Sequence, residues 1–129
     1  MRILFVEDDA MNRRVVRDML DVAGATMVEA DLAEAGLRRI EEEEFDLVLL
    51  DLRMPGMDGF EVIRRVRARD DAKRTLPIII VTADTAIDLT ERCLATGADE
   101  VLFKPVAMDA LFDAIGRILA KRAGGDLLF

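Results

Sequence analysis

The chain contains no histidine, tryptophan, tyrosine, serine or glutamine, and its only asparagine is Asn12. These absences remove a Ser–His–Asp or Cys–His catalytic unit and any zinc site built on imidazole. Cys93 is the sole cysteine and cannot close an internal disulfide, so a reducing, cytoplasmic location is expected. No apolar stretch approaches the roughly 20 residues of a membrane span. The start, Met1-Arg2-Ile3-Leu4-Phe5-Val6-Glu7-Asp8, turns acidic too early for a secretion signal. Eighteen basic side chains face 26 acidic ones, a net charge of −8, which argues against nucleic acid or an anionic membrane as a direct partner. Carboxylates, threonine, lysine, arginine and the backbone are left to carry any chemistry.

What is present is a core-forming composition, 52% hydrophobic over 129 residues, which fits one domain. Four short apolar runs, at 3–6, 47–50, 77–81 and 101–103, do not alternate in polarity and are too short for helices. Such runs predict strands buried on both faces, as in a parallel sheet covered by helices; 25–30 is a weaker fifth. Helical spacing separates them. Val15, Met19 and Val22 make one stripe, and Ala33, Leu37 and Ile40 a second. Val62, Ile63 and Val66 make a third, and Met108, Leu111, Phe112, Ile115, Ile118 and Leu119 the last. Asp31 with Glu34, Asp58 with Glu61 and Asp88 with Glu91 have the spacing of helix-starting capping pairs. Gly24 and Gly97 fall where helices should stop. The pattern is βαβαβαβαβα, which predicts an α/β fold with helices on both faces of a parallel sheet.

Polar residues follow the apolar runs in a consistent way. Glu7, Asp8 and Asp9 follow the first, Asp51 the second, Thr82 the third and Lys104 the fourth. All would emerge at the carboxyl edge of the sheet, where open α/β folds bind ligands. Singly, each has a plain structural explanation. Asp9, or Asp8, could cap a helix; Asp51 could sit in a turn; Thr82 could end a strand; Lys104 could be solvated. Their joint placement at four strand ends favours chemistry. Crowded carboxylates without imidazole or thiolate suit Mg²⁺, or Mn²⁺. A lysine and a hydroxyl opposite such a metal would cradle a phosphoryl group, and a carboxylate, Asp51, would be its nucleophile.

Four motifs occur in order: Ile3-Leu4-Phe5-Val6-Glu7-Asp8-Asp9; Asp46-Leu47-Val48-Leu49-Leu50-Asp51-Leu52-Arg53-Met54-Pro55-Gly56-Met57-Asp58-Gly59; Pro77-Ile78-Ile79-Ile80-Val81-Thr82-Ala83; and Gly97-Ala98-Asp99 with Lys104-Pro105. Together they resemble the CheY-like receiver domains of bacterial two-component response regulators. The resemblance covers residues 1–122 and leaves 123–129 as a short, loose tail. It implies a three-layer, flavodoxin-like (βα)5 fold with strand order 2-1-3-4-5. Asp51 would accept a phosphoryl group from a phosphohistidine on a histidine kinase or phosphotransfer protein. Asp8 would bind Mg²⁺ directly and Glu7 through water, with Asp51 and the Arg53 backbone carbonyl completing the protein ligands. Thr82 and Lys104 would bind phosphoryl oxygens, with Lys104-Pro105 a cis peptide. Ala83, Asp84, Val101 and Pro105 would belong to the switching region.

Two departures sharpen this expectation. Many members carry an aromatic residue three positions before the lysine; here it is Val101. Switching is therefore expected to rely more on the loop at 82–88 than on the last strand. Arg53 and Asp84, each two positions past a key residue, are expected to face each other over the site and screen attacking water. The whole reads as a stand-alone regulator, a monomer or weak dimer, that signals to another protein or drains phosphoryl groups. It would not be an enzyme beyond its own phosphorylation and dephosphorylation. Asn12-Arg13-Arg14-Val15-Val16 resembles the first helix of receivers attached to hybrid histidine kinases. A small Mg²⁺-dependent phosphohydrolase using Asp51 is the competing reading, weakened by Arg53 where an acid would be needed. A phosphorylation-independent interaction module is the third.

Overall fold

Strand formation follows the apolar runs closely. In a computed structural model, which describes the backbone of residues 1–127 and the side chains of residues 1–122, the strands are β1 (Arg2–Val6), β2 (Thr26–Ala30), β3 (Leu47–Asp51), β4 (Ile78–Thr82) and β5 (Glu100–Phe103). They alternate with α1 (Ala10–Val22), α2 (Ala33–Glu42), α3 (Gly59–Arg67), α4 (Leu89–Thr96) and α5 (Met108–Leu127). A single 3-10 turn, Ala72–Thr75, precedes β4 and had no apolar signal to announce it. All strand pairs are parallel, in the order β2-β1-β3-β4-β5. Every residue of the central strands β3 and β4 is buried, which is why those segments show no alternation.

Two apolar cores sandwich the sheet. Leu4, Val6, Leu50 and Ile80 pack with Ile40 of α2, Ile63 of α3 and Cys93 of α4. On the opposite face Ile3, Phe5, Leu49 and Ile79 pack with Leu20 of α1 and Leu111 and Ile118 of α5. The fold is thus three-layered. Each such side chain, fully withdrawn from water, contributes about 1.5–3 kcal/mol of transfer free energy.

The helix faces correct part of the sequence reading. In α1 the buried residues are Val16 and Leu20, while Val15 and Val22 are 42% and 70% exposed. Two apolar stripes lie about 100° apart on this helix, and periodicity alone cannot choose between them. In α5, Ala114 is buried, whereas Met108 and Leu119 at the margins of the stripe are exposed. Asp58 caps α3 by accepting from the Glu61 amide at 3.0 Å, as expected. Asp31 does not cap α2; the N-cap is Leu32, without a side-chain bond. Asp88 occupies the N-cap of α4, but its φ of −93° and ψ of 5° are not extended and its side chain makes no capping bond. The backbone of α5 is helical across Gly124 and Gly125 to Leu127, and residues 128–129 lie outside the described residues.

The amino edge of the sheet is held by two cations that sequence reading passed over. Arg67 donates from Nε to the Gly97 carbonyl at 2.9 Å and from Nη1 to the Arg74 and Leu76 carbonyls, both at 2.8 Å. Its Nη2 reaches Asp99 Oδ2 at 3.0 Å, and the same oxygen accepts from the Ile78 amide at 2.8 Å. Gly97, with φ 127°, ends α4, and a Cβ there would lie 2.9 Å from Arg67 Cγ. Lys73 Nζ donates to the Ile40, Glu41 and Glu43 carbonyls at 2.7, 3.1 and 3.2 Å, closing the carboxyl end of α2.

Candidate functional site

The site forms because β1, β3, β4 and β5 end side by side. Val6 pairs with Leu50, Asp51 with Val81 and Thr82 with Phe103, so the residues at or just past these positions share one rim. The β1–β3 boundary is where strand order reverses and a crevice opens. Asp9 then caps α1, accepting from the Met11 and Asn12 amides at 2.8 and 3.0 Å. That assignment leaves Glu7 and Asp8 free of capping duty. Gly59 lets α3 start tight against β3, since a Cβ there would lie 2.9 Å from Leu52 Cα.

Glu7, Asp8 and Asp51 each bring a carboxylate oxygen within 4.8 Å of the others. Glu7 is fully buried and Asp51 is 3% exposed, while Asp8 is an exposed residue at the mouth. Lys104 enters from the end of β5, its Nζ 2.7 Å from Glu7 Oε1 and 3.3 Å from Asp51 Oδ2. Asp51 Oδ1 also accepts from the Arg53 amide at 3.2 Å. Thr82 is fully buried, and its Oγ1 accepts from the Asp84 amide at 3.1 Å. The Lys104 amide donates to the Thr82 carbonyl at 2.8 Å, extending the β4–β5 ladder to the lysine, and Lys104-Pro105 is cis.

Electrostatics show what the cluster lacks. Carboxylate oxygens within 4.8 Å of one another repel by about 3 kcal/mol or more at an effective dielectric of about 20. Lys104 offsets one of three negative charges, leaving two. Loss of hydration, then the neighbouring Glu7 carboxyl, pushes the Asp8 carboxyl above its ordinary pKa. Partial burial pulls the Lys104 ammonium down, but Glu7 and Asp51 outweigh it and hold its pKa above the usual value. Residual charge of −2, hard oxygen donors and an open mouth at Asp8 fit a small divalent cation that keeps several waters.

Around this centre the remaining expected residues take definite places. Arg53 Nη2 and Asp84 Oδ2 are 2.8 Å apart, so the expected pair forms, with Arg53 half exposed. The Arg53 hydrogen bond, followed by the Ala86 amide, holds the Asp84 carboxyl below its ordinary pKa. Ala83 and Pro105 are exposed. Val101 packs against the core under α4, away from the rim. Phe103, not Val101, is the residue in register with Thr82, and it is 47% exposed. Sequence reasoning missed the buried surroundings of Glu7. Asn12 Nδ2 lies 3.3 Å from Glu7 Oε1, the Asp9 amide 3.3 Å from Oε2, and Arg13 Nη1 2.8 Å from the Glu7 carbonyl. The one available signal was that Asn12 is the only asparagine in the chain.

Five parallel strands in the order 2-1-3-4-5, with an acidic group, a threonine and a lysine at successive strand ends, define a CheY-like variant of the flavodoxin fold. Residues 3–116 match the response regulator receiver domain, and the chain belongs to that family. Receiver domains of two-component systems accept a phosphoryl group from histidine kinases and bind Mg²⁺ at an acidic pocket. The chain is 39% identical over 127 residues to the virulence sensor protein BvgS of Bordetella pertussis, covering 95% of this chain and 10% of BvgS. It is 37% identical over 116 residues to the response regulator protein FleR of Pseudomonas aeruginosa, covering 90% of this chain and 24% of FleR. It therefore spans about a tenth to a quarter of the length of these relatives. Among solved structures, a CheY-like response regulator receiver domain protein from Methanospirillum hungatei superimposes with a TM-score of 0.86 at 29% identity, over 96% of this chain and 97% of that one. Among the described residues no helix is long and apolar enough to cross a membrane.

Proposed function

We propose that Asp51 is the phosphoryl acceptor of this receiver domain and that acceptance depends on Mg²⁺. The carrying observation is the group of three carboxylates within 4.8 Å with the Lys104 ammonium reaching two of them. An Asp51 oxygen would attack the phosphorus of a phosphohistidine on a histidine kinase or phosphotransfer protein. The new O–P bond forms as the N–P bond breaks, and the imidazole departs with the bonding electron pair. These 129 residues hold no histidine, so the donor imidazole lies outside them. Lys104 turns from the carboxylates to a phosphoryl oxygen, and the Thr82 hydroxyl donates to another. Asp8 and Asp51 would hold the metal directly, Glu7 through water, and the Arg53 carbonyl would complete the protein ligands. When bound, Mg²⁺ supplies neutralisation of the −2 site and of the incoming phosphoryl charge.

The output is a shift in protein binding, or a phosphoryl shuttle or sink, from a cytoplasmic monomer or weak dimer. Movement of Thr82 toward a phosphoryl oxygen would release the Asp84 amide that it now accepts from, so the loop at 82–88 moves with it. Incubation with Mg²⁺ and acetyl phosphate, followed by intact-mass measurement, tests the assignment. A single phosphoryl adduct that needs both Mg²⁺ and Asp51 is expected. Steady phosphate release from many esters would support the phosphohydrolase instead, and neither adduct nor turnover would leave a binding module.

A further inference from the structure

Glu7 presents an unusual situation for a fully buried carboxylate. Its Oε1 is shared by two donors of different mobility, the Lys104 ammonium at 2.7 Å and the Asn12 amide at 3.3 Å. Its Oε2 has only the Asp9 backbone amide, at 3.3 Å. The nitrogen side of the Asn12 amide must face Glu7, because its oxygen would repel the carboxylate. Asn12 is fixed on α1 by the Asp9 cap, whereas Lys104 sits on a long, flexible stem. If Lys104 leaves for a phosphoryl oxygen, Asn12 is the protein donor that Glu7 Oε1 keeps. A buried carboxylate oxygen stripped of its donors would hold the lysine back. A cavity of ≈ 120 Å³ bordered by Glu7, Asn12, Val16 and Lys104 leaves the amide free to close the 3.3 Å gap.

We propose that Asn12 is a positioning residue that takes over Glu7 Oε1 and so frees Lys104 for the phosphoryl group. The inference rests on the assignment of Lys104 to a phosphoryl oxygen given above. No proton changes hands, since the ammonium travels with its three protons. The amide is redundant while Lys104 remains on Glu7 and becomes necessary once it departs. Asn12 should therefore affect phosphoryl-state binding far more than binding of the metal alone.

The test compares two affinities by calorimetry on the full chain: Mg²⁺ alone, and beryllofluoride, a phosphoryl mimic, at saturating Mg²⁺. Asn12→Ala should weaken beryllofluoride binding about tenfold, the scale of one charge-assisted hydrogen bond. Its Mg²⁺ affinity should stay within about twofold on the same reasoning, the amide being redundant while Lys104 caps Glu7. Asn12→Asp adds a carboxylate that retains Lys104, so it should weaken beryllofluoride binding while tightening Mg²⁺. Equal shifts of both affinities in Asn12→Ala, or no shift in either, would overturn the proposal. A wild-type chain that forms no Asp51-dependent adduct would instead overturn the underlying assignment. An adduct in the wild type with unchanged Asn12 variants would remove only the role given to Asn12.

Discussion

Cations serve the two edges of the sheet in opposite ways. At the amino edge Arg67 and Lys73 point at carbonyl oxygens and two carboxylates, Asp99 and Glu44, and every bond ties one chain segment to another. At the carboxyl edge Lys104 points at two carboxylates of a group of three and leaves two negative charges uncompensated. Polar groups at the first edge are satisfied by the chain itself, so their energy appears as stability. Those at the second are satisfied only in part, so their energy is reserved for a cation and an anion from outside. The difference shows how one fold keeps a rigid base beneath a site held short of electrostatic balance.

Substitutions at the two edges should therefore separate stability from function. Asp51→Asn should abolish the acetyl phosphate adduct, a fall of at least about 100-fold if Asp51 is the nucleophile. The same change removes one of three crowded charges, so unfolding stability in denaturant should rise, by about 1 kcal/mol. Arg67→Ala should do the reverse. It strips three backbone carbonyls, of Arg74, Leu76 and Gly97, and Asp99 of their shared partner, and should cost about 3 kcal/mol, or about 10 °C in Tm. The folded variant should still form adduct at the wild-type rate. A large stability loss from Asp51→Asn, or lost acceptance in folded Arg67→Ala, would erase the distinction between the edges.

That division also explains what the sequence could and could not disclose. Strands were legible because each buried run is apolar on both faces, and the site was legible because Glu7, Asp8, Asp51, Thr82 and Lys104 sit immediately at or beyond those runs. Which stripe of α1 turns inward was not, because Val15 and Val16 begin equally apolar rows. Nor was the cap of α2, where Asp31 has the right spacing and Leu32 takes the position. Arg67 and Lys73 gave no signal at all. Their partners are mainly backbone carbonyls 7 to 33 residues away, and a carbonyl carries no sequence mark. Asn12 beside Glu7 escaped for a related reason, since five residues across a strand–helix junction match no helical or strand period.

Lys73→Met should give a smaller version of the Arg67 effect. It keeps the aliphatic stem but uncaps two α2 carbonyls and that of the C-cap residue Glu43, which should cost about 1–2 kcal/mol, read from denaturant midpoints. Because Lys73 binds only the carboxyl end of α2, at the edge of the sheet opposite the rim residues, Mg²⁺ affinity should not move. A shift in that affinity would mean that the base and the site are coupled through α2.

The smallest expected effect lies at the carboxyl edge, in the exposed pair Arg53–Asp84. Asp84 has a folded pKa below its ordinary value, first because Arg53 bonds it and then because the Ala86 amide does. A depressed carboxyl contributes stability above its unfolded pKa of about 3.9 and loses it as pH falls through the folded value. Arg53→Ala should therefore raise the Asp84 midpoint, followed by carboxyl NMR from pH 2 to 5, toward its ordinary value, with the Ala86 amide keeping it partly depressed. Screening by solvent keeps the stability change small. If the pair also shields the phosphoryl group, Arg53→Ala and Asp84→Ala should each speed loss of the adduct by about two- to fivefold, the scale of a weak surface interaction. Unchanged lifetimes in both variants would reduce the pair to a surface ion pair and confine the reserved charge of this edge to the buried carboxylates and Lys104.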